Sequence, residues 1–431
     1  MATNTEASET PSEAAPAAQR AGRPVAAPRR SGLSEALSVL AIRDFRFLLI
    51  GNAMMFAGFQ IRNMGQAWLV LELTDDSALW VGIVNAMPGI AIICLSLLAG
   101  AVADRKERWK IQVVTKFIIA AVAFTTAFLV TADIIQPWQL IPLGLAMGAA
   151  FAFHNPASQA FAMDVVGRQR LLPAVSLNTT ISQGANIIGP FIGGLLLAAG
   201  LETAFYLLGA LYGTGFVATL LMRTRSVQSA GPRRNVSKDI GDGLRYAARD
   251  RVIMWLLFIA AGGIFTGIFQ AVTPLFARNI LEVGEVGYGV MSAVQGAGSL
   301  IGSFGLVLFG DVRRKGLLIF GGMLILNTGM AIFAISDIYA LSLAMLVFIG
   351  MGMGTWFITV PTLIQTRTED EMRGRIMSIF FMVALIMQLG WLLGGVLDTM
   401  IGTRATTLVA AGGAMSMALV AFGVSKDLRK L

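Results

Sequence analysis

Charge is what this chain most lacks: 13% of its 431 residues are Asp, Glu, Lys or Arg, against about 25% in a soluble globular domain. With 56% apolar residues and a mean hydropathy of +0.72, water is not its main solvent. Cysteine occurs once, at Cys94, which excludes an intrachain disulfide and a thiolate metal cluster. Histidine also occurs once, at His154, and there is no Gly-rich phosphate loop of the Walker type. These scarcities argue against an enzyme, against a self-contained ATP-driven pump and against any bound cofactor.

What is abundant is the apolar run of about 20 residues, the length that crosses a bilayer as a helix. Six such runs lie between Phe45 and Met222 and six between Val252 and Val424. Of the 33 Lys and Arg residues, 30 fall in segments that lie on one face when the runs alternate. The positive-inside rule makes that face cytoplasmic and places both termini there. The net charge of +8 is then a topology signal, and no nucleic-acid partner is expected. The expected architecture is an all-α integral membrane protein of twelve transmembrane helices in two pseudo-symmetric six-helix bundles. Its parts are a disordered cytoplasmic tail (1–40), an N-terminal bundle (41–222), a basic linker (223–251), a C-terminal bundle (252–424) and a short tail (425–431). The tail is acidic before it is basic, unlike a signal peptide. Within the linker, Val236 to Arg249 has the pattern of an amphipathic helix on the inner membrane surface. An internal repeat supports the division: a constant offset pairs Pro156 with Pro361, Asp164 with Glu369, Arg168 with Arg373, Arg170 with Arg375 and Gly189 with Gly394. Two similar halves around a midplane site are the organisation of an alternating-access transporter.

The stretch GAVADRKERWK, Gly100 to Lys110, interrupts this oily chain between the second and third runs. Gly100 is expected to allow close packing at the helix end, and Asp104, Arg105, Arg108 and Lys110 to pair with one another or with a facing helix terminus. In the fifth run GPFIGG combines a helix-kinking Pro190 with Gly189, Gly193 and Gly194, which let a neighbouring helix approach; Gly298 and Gly302 in the eighth run offer a matching face. The first stretch resembles the loop 2–3 signature of the major facilitator superfamily, with Glu107 where the family usually has glycine. A degraded copy stands at Gly310, Asp311, Arg313 and Arg314. GPFIGG is similar to the motif of export-type facilitators, with Ala185 in place of an upstream glycine. WLVLELTDDSALWVG, FHNPASQAF and RGRIMS resemble the branch of enterobactin-type siderophore exporters and macrolide efflux proteins. The resemblance implies a gate latch in which Asp104 engages the start of span eleven near Arg373, Gly374 and Arg375. It further implies a monomer in a bacterial cytoplasmic membrane that exports a medium-sized organic molecule, driven by the proton gradient.

Arg62, with Gln60, Asn63 and Gln66 beside it, is the one cation expected deep inside a span. At a cost of about 2.5 to 3.5 kcal/mol it needs either a cavity or a structural partner, and both roles fit. Further candidates for touching a small-molecule substrate are Asn178, Ser182, Gln183, Asn186, Gln270, Gln295 and Gln388, with Trp356 as an aromatic wall beside Phe357. No acidic residue stands near a span midpoint, so the proton-coupling candidates are His154 and the peripheral Glu72 and Asp398. An importer of small organic anions and a non-transporting receptor or scaffold remain alternatives. In the cavity role, Arg62→Ala abolishes transport at unchanged membrane abundance; undiminished transport rejects that role.

Overall fold

The structure is a computed structural model and describes residues 38–225, 236–308, 315–425 and 428–429. Among these the regular structure is entirely helical. The first half contains α1 (Arg43–Leu73), α2 (Ala78–Arg105), α3 (Arg108–Thr131), α4 (Leu140–Val166), α5 (Leu171–Ala198) and α6 (Leu201–Leu220). The linker helix α7 runs Val236–Arg249. The second half contains α8 (Arg251–Ala261), α9 (Gly263–Leu275) with a π-helical turn at Phe276–Ile280, α10 (Gly284–Leu308), α11 (Lys315–Ile335), α12 (Tyr339–Arg367), α13 (Asp370–Ala384), α14 (Met387–Ile401) and α15 (Thr403–Val424). Among the described residues ten helical runs are long and apolar enough to cross a membrane; α8, α9 and the π turn form one, and α13 with α14 forms another. The expected spans one and eight fall outside those ten. Helix α1 has 31 residues and α10 has 25, but α1 is diluted by Asn52, Gln60, Arg62, Asn63 and Gln66, and α10 is rich in glycine.

The halves repeat each other in packing as well as in sequence. In the first, α2 packs on α4, α3 on α4 and α6, and α1 on α5 and α6. In the second, α10 packs on α12, α11 on α12 and α15, and α9 on α14 and α15, the same pattern by position. Each half opens on an aspartate that ties down its first helix. The Asp44 carboxylate accepts from the Arg223 and Thr224 amides at 3.0 and 2.6 Å, joining α1 to the end of α6. Asp250 caps α8 through the Val252 amide at 2.8 Å and accepts from Arg367 Nε on α12 at 2.8 Å.

Two reciprocal contacts, α5 on α10 and α2 on α14, join the halves. In lipid there is no hydrophobic drive between helices, so attraction comes from close packing at small residues. A Cβ added to Gly194 would stand 2.9 Å from the Cα of Gly289, and one added to Gly395 would stand 2.9 Å from the Cα of Leu79. Both contacts lie at the helix ends remote from the basic face. At the basic ends of α2, α10 and α13, a Cβ at Gly100, Gly305 or Gly374 would meet nothing within 4 Å, and the same holds at Gly184 midway along α5. The seam is therefore closed at one end and open at the other. Gly100 does not serve close packing as expected, since a Cβ there would stand in open space. Gly298 and Gly302 do not face α5 either: they abut the Val347 and Met351 carbonyls of α12, and Gly289 and Gly296, on the other face of α10, meet α5. Gly194→Leu is expected to lower stability by about 1 to 3 kcal/mol through overpacking, whereas Gly184→Leu on the same helix leaves it unchanged. Thermal unfolding in detergent distinguishes them, and equal losses would contradict the one-ended seam.

Candidate functional site

Three groups of side chains stand out, one at the closed seam and one inside each half. At the seam, the α1–α2 loop holds Asp75 and Asp76 in the left-handed region, with φ of 47° and 66°. Such strain persists where the surroundings enforce it. It aims Asp76 across the halves at Arg278, 2.9 Å away in the π turn after α9. Arg278 also lies over the Trp68 ring, 5.4 Å from its centroid, and Trp68 stacks on Tyr288 of α10 at 6.2 Å. Glu72 accepts from Trp68 Nε1 at 3.0 Å. Through Trp68 it borders the seam. Asp398 lies near the same end of α14, with Oδ1 buried and unpartnered.

Inside the first half, Arg62 turns into a cavity lined by Val122 and Thr126 of α3, Met147 of α4 and Phe205 of α6. Its Nε and a terminal nitrogen donate to Gln66 Oε1 at 2.8 and 2.6 Å, and Gln66 Nε2 reaches the Val84 carbonyl at 3.4 Å. Asn63 is a marginal partner at 3.5 Å. Gln60 packs against Gly189, and Gly193 sits on Met64 and Ile61, so GPFIGG grips α1 as well as α10. Buried Pro190 contributes its carbonyl to the contact with Gly289. Asn178 accepts from Asn52 at 2.9 Å, and Asn186 donates to Gln183 at 3.0 Å. Ser182 donates back to the Thr179 carbonyl at 2.8 Å. Deeper along the bundle His154 is buried with Nδ1 unpartnered. Near it lies Lys116, which the charge count assigned to the loop; α3 begins at Arg108, so this lysine is two turns inside the helix and fully buried.

Inside the second half, both helical runs that correspond to spans seven and eleven are broken. One breaks between α8 and α9 at Gly262, the other between α13 and α14 at Leu385 and Ile386. Beside these breaks lies a narrow cavity lined by Gly262, Gly263, Met323, Asn327, Met353, Trp356, Phe357 and Met387. Asn327 is 2% exposed and neither its oxygen nor its nitrogen has a partner. Sequence reasoning chose Trp356 but passed over Asn327, although an asparagine in the middle of LLIFGGMLILNTGMAIFAI is as isolated as Arg62 is in its own span. Gln295 Nε2 reaches Met353 Sδ at 3.3 Å, while Gln388 packs against Gly89 across the α2–α14 contact. Gln270 is half-buried on α9.

Of the expected latch, Arg108 grips Asp164 with one nitrogen 2.9 Å from both carboxylate oxygens, joining α3 to α4 within one half. Arg105 is exposed. Arg373 Nε donates to the Gln365 carbonyl at 3.0 Å, and Arg375 meets Asp242 of α7 at 3.4 Å. The side chain of Asp104 and the stretch around Gly310, Asp311, Arg313 and Arg314 lie outside the described residues.

Residues 34–430 match the family described as transmembrane secretion effector. The chain belongs to the major facilitator superfamily. It is 24% identical to the staphyloferrin A transporter of Staphylococcus aureus over 89% of this chain and 97% of that protein. It is 22% identical to macrolide efflux protein A of Streptococcus pyogenes, over 90% and 97%. It is 25% identical to the enterobactin exporter of Shigella boydii, over 71% and 73%. Among solved structures, the nucleoside transporter NupG superposes with a TM-score of 0.72 at 14% identity, covering 88% of this chain and 98% of that one. A bacterial homologue of the lysosomal transporter Spinster gives 0.72 at 13%, covering 89% and 97%. The solved structures carry the fold, and the family match over residues 34–430 makes the chain a multi-pass membrane protein of a transporter family.

If the Asp76–Arg278 pair helps hold the seam, Asp76→Asn opens it. A partly exposed pair contributes about 1 kcal/mol, or about fivefold in population. A cysteine at Met64, in a Cys94→Ser background, is expected to react about that much faster with an impermeant maleimide added from the closed side; an unchanged rate removes the pair from the seam.

Proposed function

We propose that this transporter is a proton-driven exporter of amphiphilic molecules, drugs or siderophore-like metabolites, working by alternating access with twelve spans and both termini in the cytoplasm. The observation that carries the substrate class is the cavity at the breaks of the second half. Methionine is flexible and polarizable and suits surfaces that accept varied apolar shapes. Met323, Met353 and Met387 with Trp356 form such a wall, and Asn327 supplies one hydrogen-bonding group whose own needs are unmet. Interrupted helices beside a binding site are a recurrent device in transporters. In this structure the cavity is too narrow for a drug-sized ligand, so occupancy requires the methionines to retract.

The direction of opening accords with export. With the basic face in the cytoplasm, the structure is shut on the outside by Asp76, Arg278, Trp68 and Tyr288 and parted on the inside, ready to receive substrate from within. Arg62, spent on Gln66 inside the first half, serves in this reading to anchor α1 and leaves the substrate site to the second half.

Accumulation of ethidium, erythromycin, a catecholate siderophore and a carboxylate siderophore, in cells lacking their major exporters, tests the proposal. Lower accumulation of at least one on expression is expected, reversed by collapsing the pH gradient. Asn327→Leu is expected to weaken that export about fivefold or more at unchanged abundance, as befits a lost buried hydrogen bond. Unchanged export in that variant removes the cavity from the substrate path, and indifference to the gradient removes proton coupling.

A further inference from the structure

A proton-coupled transporter needs a group that can exist in two protonation states inside the protein, and among the described residues the buried carboxylates, such as Asp44 and Asp398, stand near helix ends rather than within the span interiors. Lys116 stands within one. Its side chain is 0% exposed, and Nζ donates to Thr219 Oγ1 at 2.8 Å. That hydroxyl in turn donates to the Gly215 carbonyl at 3.0 Å. Helix α1 passes directly over the amine: a Cβ added at Gly51 would lie 2.9 Å from Nζ. Among the described residues Thr219 is its one hydrogen-bond partner.

The ionisable groups of the surrounding helices confirm how isolated it is. From α4 come His154, whose Nδ1 is buried and unpartnered, and Asp164, which is held by Arg108 at 2.9 Å. From α6 comes Tyr212, whose hydroxyl is also buried and unpartnered and whose ring lies against Gly58. From α1 come Asp44, bound by the Arg223 and Thr224 amides, and Arg62, eleven residues along the helix from Gly51 and bound to Gln66. One turn before Lys116 on α3, Gln112 Nε2 reaches the His154 carbonyl at 3.5 Å while its Oε1 has no partner. The pocket thus offers an ammonium one acceptor and no counter-charge, and an ammonium so placed is costly. Taking up a proton there requires the helices around it to move.

The helix best placed to move is α1. Its Gly51 end touches Lys116, and its far end carries Trp68 and leads into the Asp76 loop, both parts of the seam. The geometry points to Lys116 as the group that binds and releases the coupling proton, with Thr219 holding the amine and α1 passing the change to the seam. The amine lone pair takes the proton when the pocket opens, and the ammonium returns it to water on the other side; no other bond is made or broken. The inference rests on the proton-driven reading and names the site that reading lacks.

The first test needs no substrate. Proton uptake by the purified full-length protein is titrated across neutral pH for wild type, Lys116→Met and Lys116→Arg. Wild type is expected to take up about one proton per chain more than either variant, since arginine stays charged; equal uptake overturns the assignment. The second uses ethidium in everted membrane vesicles. Both variants are expected to lose about tenfold or more of gradient-driven accumulation, while exchange across membranes at equal pH, which needs folding but not coupling, stays within about twofold. Gradient-driven transport retained by Lys116→Arg shows that a fixed cation suffices, and overturns the assignment while the proton-driven reading stands. A wild type indifferent to the gradient overturns that reading and the coupling role with it. Should Lys116→Met fail to insert, Thr219→Val, which removes the acceptor but keeps the shape, is expected to shift the pH dependence of accumulation without altering exchange, and an unshifted profile counts against the site.

Discussion

Everything in this molecule depends on how closely helix backbones can approach in a solvent that gives them no reason to associate. Lipid tails are as apolar as leucine, so the halves adhere chiefly where glycine lets one backbone lie on another. Gly194 on Gly289 and Gly395 on Leu79 provide this at one end of the molecule, in two places related by the internal repeat. At the other end Gly100 of α2, Gly305 of α10 and Gly374 of α13 have nothing against them. A seam made of small close contacts, with the Asp76–Arg278 ion pair and the Trp68–Tyr288 stack across it, is the kind of interface that can be remade at its opposite end. That capacity is what alternating access demands.

Built on the same pattern, the halves carry different chemistry. The first buries Lys116, His154, Tyr212 and Arg62, none of them facing an unoccupied carboxylate. The second buries methionines, Trp356 and a lone Asn327 beside two interrupted helices. This division follows from where polar groups can be tolerated. A bundle of long uninterrupted helices isolates an ionisable side chain from water, whereas a broken helix leaves room that flexible apolar side chains fill. Helix α1 belongs to both ends of the machine: it touches the buried lysine near its start and the seam at its finish.

Much of the candidate site was legible and some was not, for identifiable reasons. The pairing of Asp44 with Thr224, of Arg108 with Asp164 and of Arg375 with the linker helix involves residues far apart in sequence, and charge alone names no partner. Arg62 was conspicuous because an arginine within a span is rare. Lys116 lay close enough to a run of loop charges to be counted with them; only the start of α3 at Arg108 places it inside. Glu72 could be placed near an outer span end, but the sequence did not show that Trp68, which bridges to the other half, donates to it. Gly298 and Gly302 were assigned to the wrong neighbour because helical phase tells which residues share a face, not which helix that face meets.

By itself, the sequence determined that the chain lives in a membrane, that it is all helix, that it is built of two related halves and that it belongs to a transporter superfamily. Those properties follow from composition, the length of apolar runs, charge placement and local motifs, all written along the chain. Only the tertiary structure decided which end of the seam is shut, that Asp76 meets Arg278 there, that spans seven and eleven break beside Asn327, and that Lys116 stands buried with Thr219 as its partner. Those depend on contacts between segments scores of residues apart, and on backbone distances that no periodicity encodes.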